Sequence, residues 1–96
     1  MTARTERIRL TGVPSGNRVR LAELGEEIDP LQREQLLSYG ISAQQTLTVL
    51  QQRPMTIVLC EHMELALEHG VAHHIWVEIT THDAAQIAQI RKSGTD

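Results

Sequence analysis

The sequence predicts a mostly β fold: a small, partly open barrel of about five strands. Three observations carry that expectation. Apolar and polar residues alternate in several short runs from residue 17 onward. Turn residues separate those runs at close intervals. Between the runs, only residues 29–40 have helix-boundary chemistry at both ends, which puts one helix in the first long connection. A second, amphipathic helix is expected at the C-terminus. Ninety-six residues suffice for one domain with a modest core.

Residues 1–15 read as a basic N-terminal arm, loosely attached, with RIRL (7–10) able to pair, and they end on the turn signal Val13-Pro14-Ser15-Gly16. The barrel is expected over 16–80. Its first strand has Val19 and Leu21 between Arg18 and Arg20. Asp29 is placed to cap the helix with Pro30 at its first position and Gln32 at the capping-box position. Gly40 closes it in a left-handed conformation, and Ile41 packs back on Leu36.

TLTVL (46–50) aims Leu47 and Val49 to one side. MTIVLC (55–60) has no polar face and suits the middle of a sheet. After the tight Glu61-His62 connection, MELAL (63–67) turns Met63, Leu65 and Leu67 inward. Residues 68–73 make a turn or a single helical turn, and IWVEI (75–79) sends Ile75, Val77 and Ile79 inward with Trp76 and Glu78 outward. Residues 81–96 are read as the C-terminal helix and tail: Ala84, Ile87 and Ala88 share a face, Asp83 stands in the first turn and Arg91-Lys92 in the last. This helix is expected to cover Trp76.

Composition excludes several functions. With no Phe, one Tyr and one Trp, the chain has no aromatic platform for bases or for proline-rich peptides. Its net charge of −3 argues against nucleic acid. Charge is uneven, however. Residues 1–20 hold five of the nine basic side chains and one acid, so that segment is +4 and the rest −7. The arm could make weak contact with a membrane surface. A single cysteine allows no disulfide within the chain, and no membrane-length apolar run or signal pattern is present, which suits a soluble cytoplasmic protein.

Four residues are candidate metal ligands. His69 and His73 are four apart, which on a helix puts both imidazoles on one side. Cys60 and His62 would complete a set for Zn²⁺ or Fe²⁺ if the two turns met. The plainer reading is that these histidines are solvated loop residues. Cys60 with His62 is the only close thiol–imidazole pair, and it lacks an orienting third group. The six glycines are scattered turn residues with no phosphate-binding pattern. No catalytic residue is assigned.

The run REQLLSYGI (33–41), the TLTVL strand, the hairpin with Pro54, Ile57 and Leu59, and MELALEHGVAHHIWVE (63–78) together resemble the FeoA family. Arg33, Leu36 or Leu37, Gly40 and Ile41 fit its R-x-x-L-x-x-x-G-[ILM] pattern. Leu65-Ala66-Leu67, Ala72, Ile75 and Val77 fit its closing strand. Ser42-Ala43 stands where the family commonly has Pro-Gly, and Gln52-Arg53-Pro54 replaces a G-D-P hairpin. The resemblance implies an SH3-like barrel, no required cofactor, no enzymatic activity, and a FeoB-like ferrous iron transporter as protein partner. It also makes the helix and its exit the recognition region, with Arg33, Leu37, Tyr39 and Ile41 as contacts. Apart from the resemblance, Trp76 is either packed under the C-terminal helix or exposed as an anchor for a partner. A second reading is a metal sensor or carrier that uses the histidine turns, related to the SH3-like domains of metal-dependent repressors.

Overall fold

The structure is a computed structural model describing residues 4–81. Six antiparallel strands form one open sheet in the order β1-β6-β2-β3-β4-β5. They are β1 (Arg4–Arg9), β2 (Arg18–Leu24), β3 (Thr46–Gln51), β4 (Thr56–Cys60), β5 (Met63–Leu67) and β6 (Ile75–Thr81). Helix α1 (Pro30–Ser38) lies between β2 and β3, and the single turn α2 (His69–Ala72) between β5 and β6. This is the architecture of a small SH3-like barrel left partly open. The expected C-terminal helix, and with it the cover over Trp76, lies outside the described residues.

Strand alternation sets the core. Val19 and Leu21 of β2, Leu47 and Val49 of β3, Val58 of β4, and Ile75, Val77 and Ile79 of β6 all turn to the shared interior and are buried. Strand β4 has neighbours on both sides, β3 and β5, so its apolar outer residues Ile57 and Leu59 are half-buried. Two register shifts, at Leu21/Glu23 against β6 and at Val49/Gln51 against β4, bend the sheet toward closure.

Three expectations change. The segment read as a loose arm contributes strand β1, paired along β6 from Arg4↔Thr81 to Arg9↔Trp76. It continues into a 3-10 turn at Leu10–Gly12, and Leu10 and Val13 are core residues. The turn is pinned by Gln52, whose amide donates to the carbonyls of Leu10 (2.9 Å) and Val13 (2.5 Å) while accepting from the buried Thr56 hydroxyl at 2.8 Å. The described residues therefore hold six strands rather than about five. Thirdly, Met63, expected inward, is 40% exposed, because β5 is the sheet edge and its first residue lies beyond the cover of the core.

Candidate functional site

Helix α1 begins and ends as its sequence requires. The Asp29 carboxylate accepts from the Leu31 N–H at 3.1 Å, with Pro30 at the first position. At the other end Gly40 takes φ +88°, the Ile41 N–H reaches the Leu36 carbonyl at 2.9 Å and the Gly40 N–H the Leu37 carbonyl at 3.0 Å. These paired bonds are a Schellman closure. It drives Ile41 into the core at 0% exposure, so Ile41 acts as the anchor of the helix exit and not as a contact.

The closure leaves an unusual helix surface. Of the three leucines on α1 only Leu36 is buried. Leu31 is 64% and Leu37 49% exposed, and Tyr39 at the C-cap is 49% exposed. Leu31 was not singled out in the sequence. Its signal was there in the spacing, since Leu31, Leu36 and Leu37 cannot share one stripe at 100° per residue.

Arg33 belongs to the frame. Its guanidinium donates to the carbonyls of Leu24 (3.1 Å) and Gly25 (2.5 Å), tying α1 to the end of β2. The Gly25 N–H in turn donates to the His74 carbonyl at 2.7 Å. A Cβ on Gly25 would lie 2.6 Å from that oxygen, so the close approach of the two backbones needs glycine here. Arg33, expected as a contact, therefore also clamps α1 to the end of β2.

Between α1 and the β5–α2 segment runs a shallow groove of about 220 Å³. Leu36, Leu65, Leu67 and Val71 make it apolar, and Gln35 and Glu68 line its sides. Tyr39 forms a ridge between this groove and a second recess bordered by Cys60, His62 and Met63.

The four candidate metal ligands are not brought together. Cys60 and His62 sit at the β4–β5 turn, and His69 and His73 follow the far end of β5. Five strand residues separate the pairs, roughly 16 Å of chain. Among the described residues, no three His, Cys, Asp or Glu side chains group as a metal site. His69 and His73 do share a side of α2, with rings stacked 5.5 Å apart. Desolvation, then the Arg9 guanidinium and the neighbouring His74 and His69, lowers the pKa of His73. Cys60 is buried, its Sγ 3.9 Å from the Gly40 carbonyl, and burial raises its pKa, so the thiol form is favoured.

Trp76 stands half-buried on the outer sheet face. The Arg9 guanidinium lies 4.3 Å from its ring centroid, held there by donation to the His73 carbonyl at 2.7 Å. Such a stack contributes about 0.5–1 kcal/mol. No helix among the described residues is long and apolar enough to cross a membrane.

Comparison with solved structures supports this architecture. The chain is similar to the crystal structure of an iron uptake regulatory protein, FeoA, at 21% identity and TM-score 0.66, covering 77% of this chain and 100% of that one. It is similar to the solution structure of FeoA from Chlorobium tepidum at 22% identity and TM-score 0.65, over 77% and 69% of the two chains. A manganese-dependent transcriptional repressor matches at 26% identity and TM-score 0.69, over 77% of this chain but only 42% of the repressor. No curated protein sequence matches. The FeoA domain model matches residues 8–79, from the end of β1 through β6. That match takes in β2 to β5, most of β6, helices α1 and α2 and the Schellman exit, and the chain belongs to the FeoA family.

Proposed function

We propose that this protein is a non-enzymatic accessory of ferrous iron uptake that docks on the cytoplasmic part of a FeoB-like transporter. Family membership supports the iron-uptake role. The observation that carries the docking role is the apolar surface of α1. Leu31, Leu37 and Tyr39 stand in solvent on a helix that is capped at both ends and clamped by Arg33, so their exposure is built in rather than a result of fraying. Exposed aliphatic and aromatic residues on a rigid element mark interaction surfaces in small soluble domains.

A metal-sensing or metal-carrying role has narrower support: the His69–His73 stack and the structural likeness to a manganese-dependent repressor. Two imidazoles on one exposed turn give a weak site unless a partner adds ligands. Capture of the transporter's cytoplasmic region by the full chain, run with EDTA and with anaerobic Fe²⁺, separates the readings. Equal capture in both supports the adaptor. Capture only with iron supports the metal protein.

A further inference from the structure

Among the described residues, β5 has a strand neighbour on one side only. Cys60 and Met63 flank a two-residue turn and face each other across the hairpin. Pairs next to such a turn exchange both backbone hydrogen bonds, and the pattern alternates along an antiparallel ladder. Met63, Leu65 and Leu67 therefore bond to β4, and the N–H and C=O groups of Glu64 and Ala66 point outward. Among the described residues, none of the backbone bonds made by turns and loops reaches Glu64 or Ala66. MELAL also carries no proline or lysine to blunt its edge, which are common protections of exposed strands.

This open edge borders the groove facing α1. Leu36, Leu65, Leu67 and Val71 offer apolar contact for the alternate side chains of an extended segment. The same surroundings are acidic: Glu68 lines the groove, Glu64 is exposed on the edge strand, and among the described residues no Lys or Arg lines it. We propose that β5 takes up an extended aliphatic and cationic peptide segment as an added strand, seated between β5 and α1. Main-chain bonds to Glu64 and Ala66 supply affinity, and the apolar floor and acidic rim select sequence. A second copy of this chain would bring its own Glu64 and Glu68 to the same rim, so charge favours the cationic segment. The inference rests on the docking role and adds a second contact to the exposed α1 surface of Leu31, Leu37 and Tyr39, which borders the groove at Tyr39.

The test uses ¹⁵N-labelled full-length protein and overlapping 12-residue peptides spanning the cytoplasmic loops and termini of a FeoB-like transporter. The expected result is binding by a peptide with alternating aliphatic residues and Lys or Arg, shifting the amides of Glu64, Leu65, Ala66 and Gln35. Ala66→Pro removes an outward N–H and leaves the β4 ladder intact, and should weaken that peptide about tenfold. N-methylating alternate residues of the peptide should do the same with the protein unaltered, and Glu68→Lys should weaken it less. Shifts elsewhere, or indifference to both Ala66→Pro and N-methylation, would overturn strand addition. So would concentration-dependent shifts at Glu64–Ala66 without peptide, which would assign the edge to a second copy. Equal capture of the intact transporter region by wild-type and Ala66→Pro protein would sink strand addition and spare the docking role.

Discussion

Replacing Arg33 with alanine removes two charge-assisted hydrogen bonds, to the carbonyls of Leu24 at 3.1 Å and Gly25 at 2.5 Å. Bonds of this kind contribute about 1.5–3 kcal/mol each. Arg33 is half-buried, so the lower figure applies and the pair is worth about 3 kcal/mol. In a domain this small, 1 kcal/mol moves the melting temperature by about 4–8 °C, so Arg33→Ala should melt about 12–24 °C lower. Arg33→Lys keeps the charge but not the fork, and should recover about half of the loss. Thermal unfolding by circular dichroism reads both. A melting temperature within a few degrees of wild type, together with lost capture of the transporter region, would refute the clamp and return Arg33 to the contact surface.

Gly40→Ala puts a Cβ at φ +88° in the Schellman closure and should cost about 1–2 kcal/mol in urea unfolding, although the space around it is open. Glu61 holds φ +59° at the β4–β5 turn, so Glu61→Gly should stabilise by up to about 1 kcal/mol, less whatever its contact with Gln45 at 3.4 Å contributes. His73 has a folded pKa below its ordinary 6.5, so the unfolded chain binds the extra proton first. Its contribution is complete above pH 6.5 and declines as pH falls toward the folded value. Melting temperatures between pH 7.5 and 5 should therefore fall less steeply in His73→Gln than in wild type.

The parts of the fold set by local chemistry were legible in the sequence. Asp29-Pro30 and Gly40-Ile41 bound the helix through side-chain and backbone bonds made within a few residues. Alternation found Val19, Leu21, Leu47, Val49, Ile75, Val77 and Ile79 because a half-buried strand repeats every two residues. The rest depends on contacts far apart in sequence. Strand β1 gains its place from β6, about seventy residues later: RIRL reads as able to pair, but nothing within RTERIR names β6 as the partner. Arg33 resembles any helical surface arginine until β2 delivers two carbonyls to it. Met63 follows the inward pattern of Leu65 and Leu67, yet its exposure depends on which strand forms the sheet edge. At the site, Leu37 and Tyr39 were legible as exposed residues at the helix exit. The groove was not, since its walls come from elements about thirty residues apart.

Leu37→Glu tests the docking account most directly. Leu37 is 49% exposed on a clamped helix, and an acid in the last helical turn costs less than about 1 kcal/mol through the helix dipole. The account predicts a melting temperature within a few degrees of wild type and loss of calorimetric binding to the transporter's cytoplasmic region. Unchanged binding by this variant, or a collapse of stability that makes Leu37 a core residue, would contradict it.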